Sequence, residues 1–264
     1  MRIVPVFLAL MVFSACASPT RYDIVIRNGT IYDGSGGTPV RGDVAIDADS
    51  IVAVGDIGSA TGGTEINAEG LAVAPGFINM LSWADTRLIA DGRSQSDIRQ
   101  GVTLEVFGEG TSGGPLTDVM KAEILEEQGD IKYPIEWTTL AEFLDHLVKK
   151  GVSPNVASFV GATTVREHVL GQSDREPTPA ELDTMRALVD QAMREGALGV
   201  GSSLIYAPAF YAKTPELIEL VKVAAKHGGM YISHMRSKAT GSSSRSMSSS
   251  PSRESQARAP RSTT

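Results

Sequence analysis

The chain has 264 residues, 42% hydrophobic and 21% charged, with 31 acidic against 24 basic side chains and a net charge of −7. That supplies one large or two smaller domains with a real core, and the charge argues against nucleic acid as a main partner, because phosphate backbones are held by clustered Lys and Arg. The single cysteine, Cys16, excludes an internal disulfide and a cysteine-cluster zinc site, so a metal here must rely on histidine and carboxylate. Residues 1–17 then carry Arg2, an apolar run from Ile3 to Phe13 and small residues at Ser14, Ala15 and Ala17, the pattern of a secretory signal peptide. Ser14-Ala15-Cys16 approximates a bacterial lipobox in which Cys16 becomes the lipidated first residue. Cleavage after Ala17 and a buried N-terminal helix are the competing readings. The expectation is an exported bacterial protein, periplasmic or membrane-anchored as a lipoprotein, that meets the membrane only through that lipid.

From Tyr22 to Ala74 the pattern has period two, in Ile24 and Ile26, Val44 and Ile46, then Ile51, Val52 and Val54. Asn28-Gly29, Asp33-Gly34, Gly36-Gly37 and Gly62-Gly63 read as turns, which predicts antiparallel strands in a small sheet. Pro75 cannot donate to a sheet ladder and Gly76 takes any backbone angle, so the pair closes this segment and releases a new strand, Phe77 to Met80.

Beyond it, Ser94 to Gln100 predicts a short helix and Val102 to Phe107 a doubly covered strand. Helices are predicted at Leu116 to Glu127, Leu140 to Lys149, Ala180 to Glu195 and Pro215 to Lys226, with strands at Val156 to Val160, Leu198 to Val200 and Met230 to His234. This alternation predicts a parallel α/β architecture. From Ser237 the composition collapses into Ser, Arg, Pro and Thr, which cannot bury enough surface to offset its ordering entropy. Residues 237–264 are therefore expected to be disordered, and the abrupt change reads as a shifted frame or truncated gene model, with a natural Ser/Arg linker as the alternative.

The stretch Pro75-Gly76-Phe77-Ile78-Asn79-Met80-Leu81-Ser82-Trp83 resembles the start of the catalytic barrel in the amidohydrolase superfamily, in particular the N-acyl-D-amino-acid deacylase (D-aminoacylase) group. That group commonly reads Pro-Gly-Phe-Ile-Asp-x-His-x-His here, so Leu81 and Trp83 stand where two histidines would be. Asp23 to Gly34 resembles the β-sandwich that precedes such barrels. The resemblance implies a small β-sandwich over 18–75 and, over 76–236, an incomplete (β/α)8 barrel holding about five of eight strands. It also implies a metal-dependent hydrolase of the non-peptide amide bond of N-acyl-D-amino acids, a small-molecule substrate, and one zinc ion in a complete member.

His234, in Tyr231-Ile232-Ser233-His234-Met235-Arg236, matches the family's His-Met-Arg motif, where the histidine binds metal; a histidine packed at a strand end is the competing reading. Glu109, in Gly108-Glu109-Gly110, falls one position before the metal-binding cysteine of the family's Gly-Asn-Cys-Gly, and is either a carboxylate ligand or a solvated loop residue. Leu81 and Trp83 exclude the outer site of a two-metal centre. The family's next metal histidine and its catalytic aspartate fall on later strands, past the change to Ser/Arg sequence, so the catalytic residue is not assigned. Gly199 to Pro208 resembles a substrate-facing stretch, in which Tyr206 either donates a hydrogen bond to substrate or covers the site by packing. Asp85 reads as a solvated loop residue or helix cap, Glu105 as pointing inward or to a helix, Arg166 and His168 as a solvated helix start or as groups that meet an anionic substrate, and His146 and His227 as surface or core residues of helices. The resulting expectation is an inactive, incomplete copy of an exported hydrolase, with a non-catalytic lipoprotein fragment or a cyclic-amide hydrolase of the same superfamily as alternatives.

Overall fold

The computed structural model describes residues 20–236, which divide between Pro75 and Gly76 into two compact units. The signal-like segment with Cys16 and the Ser/Arg-rich stretch from residue 237 lie outside the described residues. Among those described, no helix is long and apolar enough to cross a membrane.

The first unit is one five-stranded sheet. Strands β1 (Arg21–Ile31), β2 (Val40–Asp47) and β3 (Ser50–Gly55) form an antiparallel meander, while β4 (Thr61–Asn67) and the short β5 (Ala72–Val73) run parallel to β1. The expectation of purely antiparallel pairing is therefore corrected, and the expected sandwich is represented among the described residues by a single mixed layer. Gly62-Gly63, read as a turn, lies inside β4; six of the seven β4 residues are exposed, so no burial pattern marked the strand. What holds it is backbone pairing to β1 and Arg27, which reaches Asp43 on β2 at 3.0 Å and Glu65 on β4 at 3.4 Å. Asn28-Gly29 is likewise a bulge within β1, with Asn28 at φ +60° and the register against β2 shifting between Ile26 and Gly29. Bulges and turns draw on the same left-handed residues, so sequence alone does not separate them.

The second unit is α/β with parallel strands throughout. One sheet holds β6 (Phe77–Asn79), β7 (Val102–Phe107) and β8 (Asn155–Ser158), and another holds β9 (Val160–Gly161), β10 (Gly199–Ser203) and β11 (Met230–His234), each in that spatial order. The strand expected over Val156 to Val160 is split at Phe159. There the Phe159 amide donates to Phe107 O at 2.9 Å and the Leu198 amide to Ser158 O at 2.9 Å, so one residue carries the chain from the first sheet to the second.

Helices α1 (Asp85–Ala90), α2 (Gln95–Ile98), α3 (Asp118–Glu127), α4 (Leu140–Lys150), α5 (Ala162–Leu170), α6 (Pro179–Arg194) and α7 (Thr214–Lys226) connect the strands. The sequence explains the longer ones. Thr139 caps α4 in a reciprocal box with Glu142, Leu140, Phe143 and Leu147 bury one face, and Lys149 and Lys150 complement its C-terminal carbonyls. Thr178 and Glu181 do the same for α6, where Pro179 sits in the first turn. Met185 and Val189 of α6 pack with Leu217, Leu220 and Val221 of α7, and with Val160 and Val200 from the second sheet, in one hydrophobic core.

Arg166 overturns its expected place at a solvated helix start. It lies on α5 with its side chain 0% exposed, 2.6 Å from Glu216 of α7, which is 4% exposed. Its other terminal nitrogen donates to the carbonyls of Ser173 and Arg175. The physical reason is that α5 begins directly after β9 and packs against β9, β10 and α6, with Glu216 of α7 reaching it, so this face of the helix is interior. Arg166→Ala would strand the Glu216 carboxylate, and is expected to lower unfolding stability in urea by about 3–5 kcal/mol, with Arg166→Met plus Glu216→Leu recovering most of it. A single-variant loss under about 1 kcal/mol would class the pair with exposed ones.

Candidate metal centre

The C-terminal ends of β7, β9 and β10 are crowded together by backbone. Gly108 turns out of β7 at φ +94°, where a side chain would meet Phe159 O at 2.2 Å, and a Cβ on Gly201 would lie 1.9 Å from Gly108 O. This packing carries the next residue, Glu109, towards β10, whose Ser203 hydroxyl donates to Glu109 O at 3.2 Å. Ser203 pairs in register with His234 of β11. Glu109 Oε2 and His234 Nδ1 consequently stand 3.4 Å apart, with side chains 10% and 22% exposed. Tyr206, in the turn after β10, is 61% exposed and its ring centroid lies 5.9 Å from that of His234.

The structure thus brings Glu109, His234 and Tyr206 into one neighbourhood. Two ligands of a tetrahedral zinc, each about 2.0–2.2 Å from the ion, stand roughly 3.3–3.6 Å apart, so the carboxylate and imidazole fit two corners of such a site. Among the described residues no third His, Cys, Asp or Glu joins them. Leu81 and Trp83 are exposed apolar side chains with no donor atom suited to a metal.

The remaining candidates lie elsewhere. His227 Nε2 is 2.8 Å from Asp190 on α6. The His146 ring lies tilted against Trp137 with centroids 4.8 Å apart, and His168 Nδ1 is 3.4 Å from Pro115 O. Glu105 is fully buried; Asn79 donates to one carboxylate oxygen at 3.3 Å, and the other has no partner. Asp85 is partly buried at the start of α1 instead of solvated, accepts from the Thr86 amide at 2.7 Å, and lines a cavity of about 320 Å³ with Ser112, Trp137 and Glu167. Burial raises its carboxyl pKa above the ordinary value, against the lowering effect of the Thr86 hydrogen bonds. Sequence reasoning also missed Ser203 as the tether of Glu109, since a lone serine in a Gly/Ser run carries no pattern.

Comparison with known proteins bears on what this pair belongs to. No family model matches the chain. A D-aminoacylase of Alcaligenes xylosoxydans xylosoxydans is 35% identical over 219 residues, which cover 81% of this chain and 44% of that protein. A crystal structure of D-aminoacylase, described as defining a novel subset of amidohydrolases, superposes with a TM-score of 0.78 at 30% identity, covering 89% of this chain and 50% of the other. The chain is a D-aminoacylase homologue. An N-acyl-D-glutamate deacylase from Bordetella bronchiseptica, complexed with zinc and a phosphonate inhibitor mimicking the tetrahedral intermediate, superposes at 0.76 with 27% identity, over 86% of this chain and 48% of that one. This homologue spans about half the length of the curated relatives it matches.

In this D-aminoacylase homologue Asp85 gives a pH test of the local burial. A carboxyl whose folded pKa is raised contributes stability that is complete below the unfolded pKa and lost as pH rises through the folded one. Asp85→Asn, which keeps an acceptor for Thr86, is therefore expected to raise the melting temperature at pH 7, the advantage vanishing as pH falls to about 4, where the unfolded carboxyl is itself protonated. An advantage independent of pH would mean that ionisation of Asp85 is not its source.

Proposed function

We propose that Glu109 and His234 are two ligands of a zinc-dependent hydrolase site that cleaves the amide bond of N-acyl-D-amino acids. The observation that carries the reading is their 3.4 Å approach across strand ends from two different sheets. Bound zinc supplies Lewis-acid polarisation of an amide carbonyl and a water of lowered pKa. In the chain itself, Ser203 fixes the backbone of Glu109, and the Tyr206 hydroxyl donates a hydrogen bond to the substrate carboxylate or amide. We read the two sheets as a consecutive arc of a (β/α)8 barrel preceded by one layer of a β-sandwich. The parallel, sequential strand order, the helices between strands and the position of Glu109 and His234 at C-terminal strand ends support this, because barrel enzymes place their chemistry there. The resemblance to a zinc-bound deacylase supports both metal and reaction.

A second reading, a non-catalytic exported protein, draws on the two-donor count, since two protein ligands hold zinc weakly. One experiment addresses both. Zinc titration of the whole chain is expected to give one bound ion, with affinity falling more than about tenfold in His234→Ala and in Glu109→Ala. Retention of stoichiometric zinc by either variant would remove that residue from the site. Zinc bound through both residues, without zinc-dependent release of free amino acid from N-acetyl-D-amino acids, supports the non-catalytic reading for this chain. Export and lipidation are part of the same proposal: mass spectrometry of protein made in a lipoprotein-processing bacterium is expected to find lipid on Cys16 as the first residue. An N-terminus at Ser18 would leave export and refute the lipid.

A further inference from the structure

Tyr206 sits on a segment with little apolar burial to hold it. Ile205, Tyr206 and Phe210 are 41%, 61% and 52% exposed, and the buried side chains between them are small. A backbone bond holds one end and a side-chain ion pair holds the chain beyond the other. The Leu204 amide donates to His234 O at 2.9 Å, and downstream the Arg166–Glu216 pair fixes the first turn of α7. Between these anchors the Phe210 amide donates to Tyr206 O at 2.7 Å and closes a turn that continues into the 3-10 turn Ala209–Tyr211. Among the described residues, one side chain from outside donates hydrogen bonds into this stretch. Arg236, two residues past His234 and partly buried, donates to Phe210 O at 3.2 Å and to Ala212 O at 2.5 Å.

We propose that Arg236 is a positioning residue that straps the 204–212 segment onto the end of β11 and so fixes Tyr206 beside His234. A guanidinium is a planar fork whose donors span two carbonyls at once, whereas an ammonium is a point charge on a flexible stem. The two carbonyls lie at the C-terminal end of a helical turn, where orphan oxygens favour a cation. His234 and Tyr206 are thereby set by the same few residues of chain, one through the strand and one through the strap. That Tyr206 touches substrate rests on the proposed hydrolase reading; that Arg236 holds its segment does not.

The test uses the whole chain and neither zinc nor turnover. Hydrogen exchange followed by mass spectrometry is expected to show the Phe210, Tyr211 and Ala212 amides of Arg236→Ala exchanging roughly tenfold faster or more, with Leu204 and Ile232 unchanged. Guanidinium ion at concentrations too low to denature should restore slow exchange, and Arg236→Lys should fall between the two. With 3-fluorotyrosine at position 206, one sharp fluorine resonance is expected to broaden in Arg236→Ala and to return with guanidinium. Unchanged exchange in Arg236→Ala overturns the strap, as does acceleration spread evenly over β10 and β11 that guanidinium fails to reverse.

Discussion

The carbonyl oxygen of Gly108 sets how closely the strands of the second unit meet where the candidate site lies. A methyl group on Gly201 would come within 1.9 Å of it, well inside any tolerable contact. With both positions as glycine, β10 closes on β7, Ser203 reaches the Glu109 carbonyl, and His234 on the next strand faces the Glu109 carboxylate. Metal sites accept ligand distances within about 0.2 Å, so a shift of one strand end by a side-chain radius is enough to separate the two donors. The geometry of the pair is thus a property of backbone packing before it is a property of the two side chains.

Much of this frame was legible from residues alone. Val102 to Phe107 and Met230 to His234 read as strands and are strands to the residue, the first because a buried parallel strand leaves a continuous apolar-leaning run. The long helices announced themselves through caps and periodicity, as at Thr139 and Thr178. The failures share a cause. β4 is exposed on both faces, so it has no apolar face to signal it, and α1 is only six residues long. The burial of Arg166 depends on later elements, α6, β10 and Glu216 of α7, closing over α5, a tertiary fact with no trace in its local sequence. For the candidate site, motif resemblance pointed to His234 and Glu109, whereas nothing local could show that residues 125 apart lie side by side.

Leu81 and Trp83 change what the first strand contributes. They are 47% and 60% exposed, so they do not fill the core in place of the histidines of the resembling motif. The polar role at this edge falls to Asn79, which donates to the buried Glu105 on β7. A buried carboxylate oxygen without a partner is costly, and Glu105 holds one through the single long hydrogen bond its other oxygen accepts. The start of the unit therefore presents two exposed apolar side chains and one inward polar contact, Asn79 to Glu105.

The passage of the chain through Phe159 has a thermodynamic consequence. Its amide belongs to the first sheet, while the carbonyl just before it serves the second. Neither sheet can let go of this strand without disturbing a peptide unit bonded to the other. Regions tied in this way open as one cooperative block, so the two sheets, separate by hydrogen-bonding pattern, form a single unit of local unfolding. Glu109 on one side of that seam and His234 on the other are then lost or kept together.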